Sequence, residues 1–194
     1  MKPLCFATNN AHKLYEVQAL LGNQFVLKTL KDIGCTEDIA ETETTIEGNS
    51  LLKAKYIWDN YHVDCFADDS GLEVMALNGV PGVYSARYAG IHHDPAANNQ
   101  LLLYNMEGIT NRQAQFRSVI TLILGGNVTQ FEGIVTGCII EQLRGTEGFG
   151  YDPLFIPDGF EQTFAEMPLE QKNQISHRGK AVGLLVAYLK QQKG

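Results

Sequence analysis

Six short stretches of this chain hold side chains able to act on a phosphorylated ligand. Thr8-Asn9-Asn10-Ala11-His12-Lys13 stands where an apolar run gives way to a helical pattern. A helix N-terminus there offers backbone N–H groups and a partial positive charge. Thr8 and Asn10 add side-chain donors and Lys13 a full charge, a combination suited to phosphate. The same residues would also make a plain N-cap with a solvated lysine, and no G-x-x-x-x-G-K-[ST] loop occurs in the chain. Asp68-Asp69-Ser70-Gly71 closes an apolar strand, the end at which open α/β sheets place ligands. Adjacent strand residues point opposite ways, so one aspartate is enough to face a ligand. Neighbouring carboxylates repel, and a divalent cation relieves the repulsion. Magnesium takes one or two carboxylates and completes its shell with water and phosphate oxygens. An Asp-rich turn would be spelled the same way.

Four further stretches are candidates on similar terms. Glu41 lies among Glu37, Asp38, Glu43 and Glu47, a solvated acidic loop unless one member folds toward Asp69. Lys53 and Lys55 stand two apart on a helical pattern, about 200° around the axis, so at most one enters a site. Phe149-Gly150-Tyr151-Asp152 offers an aromatic to stack on a base, a glycine for close approach and a carboxylate to accept from a base N–H. A glycine-rich aromatic turn in the core would look alike. Lys172 with Ser176-His177-Arg178-Gly179 brings cations and polar groups to the entrance of the last helix, which Ser176 could equally cap. His92-His93 has no further ligand pattern around it and is assigned to a surface loop.

These residues need a scaffold, and the chain supplies the pattern of one. Its 194 residues fit one domain or two intimate lobes. Residues 3–8 read as a buried strand, followed by a helix with Leu14, Val17, Leu20 and Leu21 on one face and a stop at Gly22-Asn23. Phe25–Leu30 reads as a strand, 31–47 as loop, and a helix carrying Leu51, Ala54 and Trp58 follows with Ser50 or Asn49 near its cap. Two short strands, Val63–Ala67 and Leu72–Leu77, flank the aspartates, the second closed by Asn78-Gly79. Asp94-Pro95 opens a helix through about Met106. Gln113–Leu124 and Val128–Ile140 form a hairpin about Gly125-Gly126-Asn127, and a last helix carries Ala181, Leu184, Leu185, Tyr188 and Leu189. The expected class is α/β with a mixed sheet.

Charge and composition narrow the function. Fifteen basic against 22 acidic residues leave −7, which opposes a nucleic-acid coat or an anionic-membrane binder. No apolar run is long enough to span a bilayer or to act as a secretory leader, so the cytoplasm is expected and the cysteines stay reduced. Cys5 and Cys65 read as buried apolar residues, and Cys35 and Cys138 complete a set with no metal-ligand spacing.

Taken together the motifs resemble the Ham1-like family, the inosine triphosphate pyrophosphatases that remove non-standard purine nucleoside triphosphates. The matching stretches are A-T-N-N-x-x-K at 7–13, E-G-N-S-L-L-K-A at 47–54, A-D-D-S-G-L at 67–72, P-G-V-Y-S-A-R-Y-A-G at 81–90, G-F-G-Y-D-P-L-F at 148–155 and S-H-R-G at 176–179. The resemblance implies one pyrophosphatase domain over 1–194, two-lobed with the cleft between lobes, usually homodimeric. It implies magnesium and cleavage of ITP, dITP or XTP to the monophosphate and pyrophosphate. By position it assigns phosphate contacts to Thr8, Asn9, Asn10 and Lys13 and a substrate contact to Ser70. Base and phosphate contacts fall to Phe149, Gly150, Tyr151, Asp152, Lys172, His177 and Arg178. Lys53 matches the catalytic lysine, Asp69 the proton acceptor, and Glu41 with Asp69 the metal side; Asp68 is either a ligand or a residue that orients one.

Two departures stand out. Asn9 replaces a common glycine, and asparagine enters the left-handed region more readily than most residues. Ile46-Glu47-Gly48-Asn49 replaces a frequent F-E-E-N. Two alternatives compete: the related Maf-like pyrophosphatases, which F-G-Y-D and S-H-R-G disfavour, and a non-catalytic nucleotide sensor, which the acid cluster disfavours.

Overall fold

The computed structural model describes residues 3–21, 25–90 and 94–192. The chain opens with β1 (Leu4–Phe6), every residue of it buried. Helix α1 (Ala11–Leu21) follows and buries Glu16, Val17 and Leu21. The expected stop at Gly22-Asn23 and the His92-His93 loop lie outside the described residues. Strand β2 is only Leu27–Lys28, shorter than the 25–30 expected. It gives way to a 3-10 turn at Lys31–Ile33, where Asp32 accepts from Thr29 N and Oγ1, both at 2.8 Å.

Helix α2 (Ile46–Tyr61) starts earlier than its apolar pattern indicates. Its cap is Thr45, whose Oγ1 accepts from Gly48 N at 3.0 Å, and not Ser50 or Asn49. Both of those lie inside the first turns and are fully buried. Polar groups in that position need partners. Ser50 Oγ meets Thr121 Oγ1 at 2.8 Å and Ala67 O at 3.1 Å.

The two short strands expected around the aspartates are one strand, β3 (Cys65–Val74). The sheet order β2-β1-β3-β4-β5-β6 puts β3 between β1 and β4: β1 reaches only Cys65 and Phe66, and the strand continues unbroken through 68–71 beside β4 instead of turning. β1 pairs in parallel with both β2 and β3, and Phe6 stacks on Phe66 at 4.6 Å. Asn78 and Gly79, with φ of 54° and 84°, make the expected turn.

Helix α3 (Pro95–Asn105) is capped by Asp94, which accepts from Ala97 N at 3.0 Å. Strands β4 (Gln113–Leu124) and β5 (Asn127–Ile139) follow. Gly125 and Gly126 join them with φ of 56° and 84°, the doubly left-handed turn that matches strand twist. β6 (Phe155–Pro157) runs antiparallel to β5, and α4 (Leu169–Ile175) precedes α5 (His177–Gln191). Ala181, Val182, Leu185 and Leu189 form the buried stripe of α5, while Leu184 is half exposed. At 100° per residue Leu184 falls on the flank of that stripe.

The chain divides into two units. The first holds 1–69, 118–133 and 178–194; the second holds 70–117 and 134–177. The first has two apolar clusters, one of Leu4, Phe6, Val17, Phe66, Ile120, Leu122 and Leu185 among others, one around Leu30, Ala54, Ile57 and Ile123. The second is built around Leu72, Leu102, Phe116, Leu154, Phe155 and Phe164. Among the described residues no helix is long and apolar enough to cross a membrane.

All four cysteines are free, and Cys5, Cys35 and Cys65 are buried. Burial pushes the Cys5 and Cys65 thiols up to about 12. Only the thiolate reacts readily. Iodoacetamide at pH 8 should therefore leave Cys5 and Cys65 unmodified in the native protein and label them after unfolding, read by peptide mass spectrometry.

Candidate active site

In the first unit, the end of β1 leads directly into α1. Asn10 Oδ1 accepts from His12 N at 3.0 Å and Lys13 N at 3.1 Å, so the side chain caps α1. Those two amides are thereby met within the helix, which corrects the picture of a row of open N–H groups. Asn10 N in turn meets Thr8 Oγ1 at 3.1 Å. Asn9 is exposed, and its φ is not positive: among the described non-glycine residues only His62 and Asn78 are left-handed. The glycine-to-asparagine departure therefore asks no left-handed backbone of Asn9.

Lys13 sits on the first turn of α1 and Glu16 one turn on, so both project to one side. Lys13 Nζ lies 3.1 Å from Asp68 Oδ1. Arg178, at the start of α5, places Nε 3.1 Å from Asp68 Oδ2 and pairs through Nη1 with Glu16. Asp68, Glu16 and Arg178 are all buried. Burial alone would raise the Asp68 carboxyl, but Lys13, Arg178 and Lys53 outweigh it and hold the group well below the usual carboxylate range. Lys13 is pulled down by burial and by the neighbouring cations Lys53 and Arg178. Glu16 and Asp68 in turn hold Arg178 firmly charged against its burial.

The neighbouring carboxylate behaves the other way. Asp69 Oδ1 is 3.7 Å from Lys53 Nζ, whose close partner is Glu41 Oε1 at 2.6 Å. Asn49 Nδ2 donates to Asp69 Oδ2 at 3.3 Å. Burial, with Glu41 and Asp68 close by, raises the Asp69 carboxyl in spite of Lys53 and Lys13. Lys53 is raised as well, Asp69 and Glu41 outweighing the cost of its burial. Two adjacent carboxyls thus differ in acidity: Asp68 is a fixed anion locked between cations, and Asp69 is the better proton acceptor. Divergence of this kind separates acid–base roles. Lys53 is buried and Lys55 exposed, as their angular separation required.

The donor set also suits a hard cation. Among the described residues no group of three or more His, Cys, Asp or Glu is poised to hold a metal. Glu41 and Asp69 nonetheless share one ammonium, and two carboxylates suffice for magnesium.

In the second unit, Asp152 Oδ2 accepts from Phe149 N at 2.8 Å and Lys172 Nζ at 2.7 Å. This folds 149–152 into a tight turn. Gly148 has φ of 73°, and a Cβ there would collide with Asp152 Oδ2. Lys172 Nζ also sits 5.2 Å over the Phe149 ring and 5.7 Å over Phe164. Tyr151 is buried and donates from its hydroxyl to Ser85 O at 2.9 Å, while Gly150 O accepts from Asn99 Nδ2 at 3.0 Å. His177 is buried and stacks on Phe116 at 4.8 Å. Ser70 is half-buried, next after Asp69 on β3.

Of the sequence candidates, the structure gathers Lys13, Asp68 and Arg178 into one network, Glu41, Lys53 and Asp69 into another, and Phe149, Asp152 and Lys172 into a third. Glu16, Asn99 and Phe116 are not among the sequence candidates, and Asn49 is there only as a residue near the α2 cap and within the 47–54 motif. Glu16 alone left a signal, a carboxylate beside Val17 on the apolar side of α1.

A model of the Ham1 family matches residues 4–188. A dITP/XTP pyrophosphatase of Flavobacterium johnsoniae is 54% identical over 186 residues, covering 96% of this chain and 97% of that protein. One from Flavobacterium psychrophilum is 50% identical over 187 residues, covering 96% and 98%. The solved structure of the Staphylococcus aureus Ham1 protein superposes with a TM-score of 0.90 at 38% identity, covering 98% of this chain and all of that one.

Proposed function

The chain belongs to the Ham1 family, and from that membership we infer that it hydrolyses non-standard purine nucleoside triphosphates to the monophosphate and pyrophosphate. ITP, dITP and XTP are the expected substrates. The observation that carries the reading is the contrast between Asp68 and Asp69, one carboxylate locked by Lys13 and Arg178, the other raised beside Lys53 and Glu41.

Asp69 accepts a proton from the water that attacks the α-phosphorus. Lys53 keeps the Asp69 carboxylate oriented and, with Lys13, offsets phosphate charge as it develops. Asp68 holds Lys13 in place for that purpose. Glu41 and Asp69 would hold magnesium, which supplies charge neutralisation and orientation of the pyrophosphate leaving group. Thr8, Asn9 and Asn10 contribute the remaining phosphate contacts, and Ser70 a further substrate contact. Arg178 acts by fixing Asp68.

Phe149 offers a stacking face, and Asp152 with Lys172 stiffens the turn that presents it. His177 supplies a donor for the oxygen at purine position 6. Adenine carries an amino group there, so donor would face donor. Mismatches of this kind discriminate by up to about 10⁴–10⁵. The chain works as one pyrophosphatase domain, in the cytoplasm and as a homodimer. The acidic net charge of −7 is consistent with free nucleotides as substrates.

Pyrophosphate release with magnesium, measured for ITP, dITP, XTP, GTP and ATP, tests the reading. Rapid turnover of the first three and a rate at least 100-fold lower for ATP is expected. Equal rates for ATP and ITP would sink the account of base selection, and no release from any would sink the enzyme.

A further inference from the structure

The acidic loop that carries Glu41 is held to α2 partly by its own carboxylates, Glu41 on Lys53 Nζ at 2.6 Å and Glu37 accepting from the Tyr61 hydroxyl at 2.7 Å. A second set of ties lies on the first turn of α2. Asn49 is fully buried and reaches both ways: Oδ1 accepts from Glu43 N at 2.9 Å, and Nδ2 donates to Asp69 Oδ2 at 3.3 Å. Only one orientation of the carboxamide meets both partners, since the flipped group would set N–H against N–H and oxygen against carboxylate. The residue before it completes the seat. A Cβ on Gly48 would stand 2.8 Å from Glu43 Cβ and 3.1 Å from its Cγ. Gly48 is, with Ile46, one of the two residues at which this chain departs from the common F-E-E-N spelling, and its missing side chain leaves room for Glu43 against α2.

We propose that Gly48 and Asn49 are positioning residues that seat the 41–43 segment on α2 and tie it to Asp69, thereby setting the spacing of Glu41, Lys53 and Asp69. The inference rests on the pyrophosphatase reading for its activity arm and is independent of it for its structural arm. Gly48 offers only room and Asn49 meets the Asp69 carboxylate and the Glu43 backbone, so both residues act through others.

Two variants separate the parts. Asn49→Asp keeps the acceptor for Glu43 N–H but loses the donor to Asp69. Gly48→Ala deletes no hydrogen-bonding group and favours the helix, but pushes the loop outward and so opens the bond from Glu43 N to Asn49 Oδ1. Each is measured for ITP turnover, for KM, for thermal midpoint and for hydrogen exchange at the Glu43 amide without nucleotide. In N49D, Glu43 protection should persist while kcat falls 10- to 100-fold with KM within threefold. In G48A, the thermal midpoint should be unchanged or higher, yet Glu43 exchange should quicken at least tenfold and kcat fall by a similar factor. A merely structural role would couple activity loss to a lower thermal midpoint. Wild-type kcat in both variants, or unchanged Glu43 exchange in G48A, overturns the proposal. If the wild type itself releases no pyrophosphate, the function reading fails, while the exchange measurement still decides whether the loop is seated in this way.

Discussion

Asp69→Asn should cut ITP turnover by about 10²–10⁴-fold, the usual worth of a general base. The substitution keeps the shape of the side chain and a carbonyl oxygen to accept from Asn49 Nδ2. It removes the carboxylate proposed to accept the proton. Lys53 retains Glu41 at 2.6 Å, so the buried ammonium keeps a counter-charge. Folding should therefore persist, with a circular dichroism spectrum and thermal midpoint close to wild type. Steady-state kinetics with pyrophosphate readout check the outcome. Wild-type turnover in D69N would remove Asp69 from the mechanism, and a collapse of the fold would point to a structural role for the carboxylate.

Arg178→Met should act on stability. Arg178 bridges Glu16 and Asp68, and all three are buried. A neutral side chain of similar length leaves two carboxylates without their shared cation. Breaking a buried pair in this way costs about 3–5 kcal/mol. For a chain of this size that corresponds to a fall of about 6–20 °C in thermal midpoint, measured by calorimetry. The sign with pH follows from Asp68, whose folded value lies below its unfolded one. Its stabilising contribution is complete above the ordinary aspartate value, about 3.9, and is lost as pH falls toward the depressed folded value. The gap between wild type and R178M should therefore be full at pH 7 and narrow in acid. A midpoint within 2 °C of wild type at pH 7 would show that Glu16 and Asp68 do not depend on Arg178.

Local chemistry made much of the fold legible. The Asp94-Pro95 helix start and the Gly125-Gly126 hairpin were readable because a cap, a fixed proline φ and a doubly left-handed turn are decided within a few residues. β3 was misread as two strands because Asp-Asp-Ser-Gly has turn composition. It is pairing with β4, a strand distant in the chain, that carries those four residues on as strand after β1 ends opposite Phe66. The cap of α2 was misplaced for a related reason: Asn49 and Ser50 look like capping residues, but their side chains are spent on Asp69, Glu43, Ala67 and Thr121, partners far away in the chain.

What the amino-acid sequence determined by itself was the family, the α/β class and a set of candidate reactive groups. Such properties are written in short motifs, and the order of those motifs along the chain is enough to read them. What only the tertiary structure decided was the company each group keeps, its ion-pair partners and the direction in which its acidity moves. Asp68 and Asp69 are adjacent and chemically identical in sequence. They part because the strand alternates its faces, presenting one to Lys13 and Arg178 and the other to Lys53, Glu41 and Asn49. Electrostatic environment depends on distance in space and on burial, and neither is a property of neighbouring letters.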